Sequence, residues 1–288
     1  MTETSPTFDV VMSVYGRDNP RYLTEALDSL RAQSRQPRHY VLVQDGPLGH
    51  DLQYVLDRWI APEGTTKRVV PLSKNQGLGI ALRTGVEACS SEFVARMDAD
   101  DVCEPKRFER QLSYIATNSA LDLIGGTIEE FRSEPGDLGL QRNVPLDQDS
   151  IYRRLGWRNA MNHVTVMFRL SAVREVGSYR DRLGFEDWDL WLRMRAAGHR
   201  MTNLTDTLVH ARTDGLMDRR SGRRYAKLEQ EFLRNARAEG LLSFGEYLTT
   251  AAARAVVRRV DSTTLATVYR RMLRSSSSAF RKDTKINE

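Results

Sequence analysis

Residues 92–101 read Glu-Phe-Val-Ala-Arg-Met-Asp-Ala-Asp-Asp. The first six, Glu92–Met97, make an apolar run of the length of a buried strand. It stops on three carboxylates in four residues, Asp98, Asp100 and Asp101. Like charges this close repel one another. A hard divalent cation offsets that repulsion through oxygen ligands and leaves coordination positions for a phosphate-bearing substrate. The plain alternative is an acidic turn ahead of a helix opening near Pro105, so the surrounding pattern has to decide.

On the N-terminal side, Phe8–Val14, His39–Gln44 and Arg68–Leu72 read as three further strands. The helix after the first opens at Asn19-Pro20, an N-cap followed by proline at the first helical position. It continues with Tyr22, Leu23, Ala26, Leu27 and Leu30 at helical spacing. Leu52, Val55, Leu56 and Trp59 mark a second helix, and Ile80, Ala81 and Val86 a third behind Asn75-Gln76-Gly77-Leu78. Phe108, Leu112 and Ile115 share one face of the helix after Pro105. Strands separated by helices imply an α/β fold with a mainly parallel sheet flanked by helices. Ligands bind such sheets beyond the carboxyl ends of the strands. The exits Ser13–Gly16, Asp45-Gly46 and Asp98–Asp101 should therefore converge on one edge, although polar strand exits also serve as turns.

The second half is mixed. Leu121–Phe131 reads as one or two strands around Gly125-Gly126, Val164–Phe168 as a short apolar strand and Met201–Val209 as another. Glu186–Ala197 is a helix with acidic residues in its first turn and Gly198 as its stop. Helices are expected at Tyr225–Glu239, Phe244–Arg259 and Ser262–Leu273, and no packed structure in Ser275–Ser278 or Arg281–Glu288.

Composition narrows the class. With 40% hydrophobic and 28% charged residues in 288, the chain is an ordinary globular one. No apolar run approaches the roughly 18 residues of a membrane span. The polar Met1–Asp9 stretch leads us to expect no secretory leader. Two cysteines, Cys89 and Cys103, exclude a disulfide scaffold and a multi-cysteine metal site, and suit a reducing cytoplasm. The net charge of +5 is uneven: residues 219–288 hold 16 Lys/Arg against 7 Asp/Glu. That basic region lacks the interleaved aromatics of a nucleic-acid binder, so no nucleic-acid partner is expected.

Ser13-Val14-Tyr15, Asp45-Gly46, Asn75–Leu78 with Arg83, Arg96–Asp101 and Glu186-Asp187-Trp188-Asp189-Leu190-Trp191 occur in one order between about Phe8 and His210. In these pieces the chain resembles the family 2 glycosyltransferases of the GT-A fold, above all bacterial enzymes that build capsular or exopolysaccharide repeats. The resemblance implies an inverting, metal-dependent transfer from a nucleotide-sugar, by expectation a UDP-sugar, to a glycan or polyprenyl-diphosphate-sugar acceptor. It assigns Ser13 and Tyr15 to donor binding, Asp45 to the base, Arg83 to the nucleotide or its phosphates and Asp98 to the ribose. Asp100 is assigned to the metal, Mn²⁺ or Mg²⁺. Gln44 departs from the second Asp the family often carries beside Asp45.

The same resemblance puts the proton acceptor on Asp187, with Glu186 the neighbouring alternative. Acids are favoured in a first helical turn by the dipole in any case. His163 and His210 are further candidate contacts, and Arg219 lies in a basic loop, Gly215–Gly222, that could close over a diphosphate. Trp157, Trp188 and Trp191 could stack on sugars, although Trp191 fits a buried stripe, and Asp189 reads as solvent-facing. The division expected is a GT-A domain over 1–215, with a nucleotide-binding half about 8–105 and an acceptor half about 106–215. A basic helical extension over 216–274 and a tail over 275–288 would follow. In that extension Arg254, Arg258, Arg259, Arg270, Arg271 and Arg274 alternate with apolar residues, as a peripheral membrane contact requires. A packed extension with solvated arginines is the alternative. A nucleotidyltransferase would carry a Gly-rich basic loop after the first strand, where Ser13–Asn19 has a single glycine. A non-catalytic assembly partner would not need intact acidic motifs.

Overall fold

The structure, a computed structural model, describes residues 6–213, 222–257 and 275–276. Its first half is four parallel strands, β1 (Phe8–Tyr15), β2 (His39–Asp45), β3 (Thr66–Pro71) and β4 (Phe93–Met97), in the order β3-β2-β1-β4. Between them run α1 (Pro20–Arg31), α2 (His50–Arg58) and α3 (Leu78–Ala88). The start of α1 is the expected one: Asn19 caps it by accepting the Arg21 N–H at 2.9 Å. Strand alternation sorts the core onto two faces. Val11, Val41 and Val43 meet Leu82 and Val86 of α3, while Val10, Met12 and Val14 meet Leu23, Leu27 and Leu30 of α1. Both faces of the parallel sheet are thereby covered.

The second half comprises β5 (Val102–Cys103), α4 (Arg107–Thr117), β6 (Leu123–Phe131), β7 (Leu140–Arg142), α5 (Gln148–Leu155), β8 (Met167–Arg169), α6 (Leu170–Glu175), α7 (Glu186–Ala196) and β9 (Met201–Arg212). Beyond it come α8 (Gly222–Ala238), α9 (Phe244–Val257) and the two-residue β10 (Ser275–Ser276). β8 inserts antiparallel between β4 and β6, β9 runs parallel to β6, and β5 returns antiparallel to β9. The result is the mixed α/β fold expected, a mostly parallel sheet flanked by helices. No helix among the described residues is long and apolar enough to cross a membrane.

Two local expectations change and one is narrowed. Of the one or two strands expected over Leu121–Phe131 there is one, Leu123–Phe131, with register shifts against β9 on either side of Thr127. Val164–Phe168 is not one strand: His163–Thr165 form a 3₁₀ turn and β8 begins only at Met167. The reason is that Thr165 is engaged in side-chain bonding. Its hydroxyl donates to the Asn162 carbonyl at 2.7 Å and accepts the Gly126 N–H at 3.0 Å, which holds the turn. Ser275–Ser276, where no structure was expected, pair antiparallel with Gln141 and Leu140 of β7. The Ser262–Leu273 helix expected from sequence lies outside the described residues.

Helix α3 approaches the sheet closely at Gly85. A Cβ there would stand 2.4 Å from Val11 Cγ2 and 2.9 Å from Val43 Cγ2. Alanine favours a helix over glycine by at most about 1 kcal/mol, whereas overpacking two β-branched residues of a buried sheet costs roughly 1–3 kcal/mol. Gly85→Ala is therefore expected to lower stability, read as a lower urea midpoint with an unchanged slope.

Candidate active site

The parallel registers bring the strand exits together. Tyr15 lies opposite Asp45, and Met12 opposite Met97, so Ser13, Tyr15, Asp45 and Asp98 share one edge. Ser13 and Tyr15 are half-buried there. Asp45 is buried, and its two oxygens accept the N–H groups of Gln76 at 2.7 Å and Gly77 at 3.0 Å. The carboxylate thus holds the turn that opens α3. Gly46 allows the approach, with φ of +85° and room for no side chain, since a Cβ would stand 2.4 Å from the Asn75 nitrogen. Arg83, four residues along α3 from Gly79, has no ion pair among the described residues.

The three acids after β4 offer oxygens that all lie within 4.8 Å of one another. Each is treated differently. Asp98 is bound by both terminal nitrogens of Arg96, a buried residue two positions earlier on the same face of β4. Asp101 is buried and accepts the Arg212 N–H at 2.7 Å. Burial, and then the neighbouring Asp98 and Asp100 charges, push its pKa well above the usual carboxylate range. Asp98 and Asp100 are both half-buried. An all-oxygen set this close together suits a hard divalent cation.

Across the edge, α7 begins with Glu186 and Asp187. Asp187 Oδ2 accepts from Asn159 Nδ2 at 2.5 Å and lies 3.9 Å from His163 Nδ1. The other ring nitrogen, Nε2, is 3.0 Å from the Tyr179 hydroxyl. Tyr179 is fully buried and lies within electrostatic reach of Arg96, Asp187, Glu186 and Asp98. Tyr179 thus lies within electrostatic reach of both the acids after β4 and those that open α7. Glu186 is buried beside Gly79, whose Cβ would lie 3.4 Å from its own. Burial and then the Asp187 charge push its pKa up to about 7.

Several candidates have other partners. His210 is held by Glu104 Oε1 at 2.6 Å and Glu129 Oε2 at 2.8 Å, outside the Asp98–Asp100–Asp101 cluster. Burial opposes its protonation, but the two glutamates outweigh that and raise its pKa. Asp189 is not solvent-facing: it is 2% exposed and pairs with Arg193 at 2.8 Å and Arg182 at 3.4 Å, because α7 is packed on nearly every side. Trp188 and Trp191 are core, leaving Trp157 exposed with Arg154 over one face at 5.7 Å. Arg254 pairs inward with Glu229 at 3.2 Å. Arg219, its loop apart from Gly222, and Arg258, Arg259, Arg270, Arg271 and Arg274 lie outside the described residues.

Sequence reasoning passed over Arg96, Asn159, Tyr179 and Arg212. Arg96 left a legible signal: an arginine inside an apolar strand needs a partner, and strand alternation puts Asp98 on its side. Asn159 and Tyr179 lie 28 and 8 positions from Asp187, with no pattern to connect them.

The sequence profile of glycosyl transferase family 2 matches residues 9–181, more than half of the chain. The chain belongs to that family. It is 39% identical over 228 residues to the amylovoran biosynthesis glycosyltransferase AmsE of Erwinia amylovora, covering 79% of this chain and 84% of that protein. It is 30% identical over 275 residues to an Escherichia coli protein, UDP-Gal:alpha-D-GlcNAc-diphosphoundecaprenol beta-1,3-galactosyltransferase, covering 95% and 99%. Among solved structures, it resembles the mannosyltransferase PcManGT of Pyrobaculum calidifontis in complex with GDP-Man and Mn²⁺. There the TM-score is 0.61 at 17% identity, over 92% of this chain and 79% of that one, a likeness of fold. The protein is a glycosyltransferase with the GT-A fold.

Glu186 gives this enzyme a pH signature. An unfolded carboxyl ionises in the ordinary range, whereas folded Glu186 keeps its proton up to about 7. Its contribution to stability therefore declines as pH rises from that range through 7 and is a net cost above it. Glu186→Gln should match the parent at about pH 4 and exceed it by about 2 kcal/mol at about pH 8, as read from urea unfolding at both pH values.

Proposed function

We propose that the enzyme transfers a sugar, with inversion, from a UDP-sugar to a lipid-linked or glycan acceptor in the synthesis of a cell-surface polysaccharide. The observation that carries this reading is the closeness of two acid groups, Asp98–Asp100–Asp101 beyond β4 and Glu186–Asp187 at the start of α7, with the buried Arg96 and Tyr179 within electrostatic reach of both. The names of the two relatives, an amylovoran enzyme and a UDP-Gal-dependent transferase, support the polymer and the donor. A cytoplasmic setting is part of the reading and accords with the free, buried thiols of Cys89 and Cys103.

In this reading Ser13, Tyr15, Asp45 and Asp98 receive the nucleoside, and Arg83 faces the phosphates. Asp100 would hold Mn²⁺ or Mg²⁺, which supplies positive charge to a departing diphosphate. Asp187 accepts the proton of the attacking acceptor hydroxyl. That oxygen bonds to the anomeric carbon as the bond to the diphosphate breaks, and attack from behind inverts the centre. Asn159 and His163 fix the Asp187 carboxylate, and the enclosed Tyr179 and Arg96 keep the donor-side charges in register with it.

Asp187→Asn should leave UDP affinity near that of the parent while lowering turnover by about a hundredfold or more, measured by calorimetry and by product release. An inactive Glu186→Gln beside an active Asp187→Asn would move the base by one residue, and retained anomeric configuration would exclude single displacement. For the cation, UDP should bind more tightly in Mn²⁺ than in EDTA, and Asp100→Ala should abolish that difference. Equal affinity of the parent in both media removes the metal from the reading.

A further inference from the structure

The helix pair α8–α9 carries a surface that sugar transfer does not use. Its inner side is well anchored: Phe232 of α8 stacks on Phe185 at 4.9 Å and packs against Trp188 at 5.1 Å. Arg195 of α7 donates to Glu246 at 2.9 Å and to the Leu241 carbonyl at 2.6 Å. These contacts seat the pair beside the start of α7, on the acceptor side of the site.

The charged side chains described on α9 both face inward, Glu246 to Arg195 and Ser243, and Arg254 to Glu229. What α9 exposes is uncharged: Phe244, Gly245, Leu248, Thr249, Ala252 and Ala253. Phe244 is 64% exposed and Leu248 53%. With Ala252 they form an i, i+4, i+8 ridge. The adjoining α8 exposes Arg224, Lys227, Arg234 and Arg237 against Glu231. None of those four cations has an ion pair among the described residues.

An exposed apolar ridge on one helix and exposed cations on the helix packed against it match an anionic lipid surface, where apolar side chains enter the acyl boundary and cations meet headgroups. Charge speaks against the other occupants. A second copy would set the same cations against themselves. Residues 258–274 of this chain carry Arg258, Arg259, Arg270, Arg271 and Arg274 against the single acid Asp261, the same sign of charge as the four cations. We propose that the outer face of α8–α9 docks the enzyme on an anionic bilayer through Phe244 and Leu248, with Arg224, Lys227, Arg234 and Arg237 against the headgroups. The proposal rests on the lipid-linked acceptor reading for its purpose, not for its evidence.

The test is co-sedimentation of the full chain with phosphatidylcholine vesicles, with and without phosphatidylglycerol. Binding is expected only with phosphatidylglycerol and should weaken at high salt. The double variant Phe244→Ser/Leu248→Ser should bind roughly tenfold more weakly, and so should a quadruple Gln variant of the four cations. Circular dichroism checks that both are folded, and both should retain transfer to a water-soluble acceptor. A parent that ignores phosphatidylglycerol vesicles, or variants that bind them as well as the parent, would overturn the proposal. So would a serine variant that turns a dimer into a monomer while vesicle binding is unchanged, which would make the face a contact between copies. Vesicle binding by a parent that transfers no sugar would instead defeat the catalytic reading and leave the docking surface standing.

Discussion

Three carboxylates confined within 4.8 Å at the end of a buried strand set the terms for everything around them. At about 4 Å, a pair of like charges near a protein surface repels by about 4 kcal/mol, too much for a marginally stable fold to leave uncompensated. The compensation is divided. Asp98 is neutralised by Arg96 from its own strand, and Asp101 by burial with its proton and the Arg212 N–H. Arg212 extends the effect outward. Its guanidinium donates to the Asp100 and Arg132 carbonyls and to Glu25 at 2.6 Å, and lies over the Tyr22 ring at 3.7 Å. The acidic turn, α1 and the end of β6 are thereby tied to the last residue of β9.

A second buried guanidinium organises the place where the sheet changes direction. Arg107 is fully buried and donates to the carbonyls of Arg96 at 2.8 Å and Val166 at 3.3 Å. Gln111, one turn on, donates to the carbonyls of Thr165 and Ile124. Both side chains satisfy backbone groups that a regular ladder would have paired, at the point where antiparallel β8 enters a parallel sheet. The turn they stabilise carries His163, so the break in the sheet places the group that faces Asp187 and Tyr179. Removing the break would rebuild the site as well as the fold.

The parallel half was legible because its information is local. Apolar runs of strand length, helical spacing after Asn19-Pro20 and the turn at Asp45-Gly46 each act over a few residues, and chirality and layer packing then leave few ways to arrange them. The second half was less legible for an equally physical reason. Val164–Phe168 is apolar enough for a strand, but Thr165 accepts the Gly126 N–H, a contact that no window around residue 165 contains. Asp189 resembles any acid in a first helical turn. Its burial against Arg182 and Arg193 follows from how many elements surround α7.

The candidate site divides along the same line. The sequence by itself determined the donor edge: Ser13, Tyr15, Asp45 and Asp98 sit at exits of parallel strands, and parallel strands separated by helices end on the same side. It also determined that acids open α7. Only the tertiary structure decided what those groups are bonded to. It gave both Asp45 oxygens to the α3 turn, set His210 between two glutamates outside the acidic cluster, and raised Glu186 by enclosing it next to Asp187. Hydrogen bonding and burial depend on groups that are distant in the chain and adjacent only once the sheet has formed, so the chemical state of a side chain is a property of the fold.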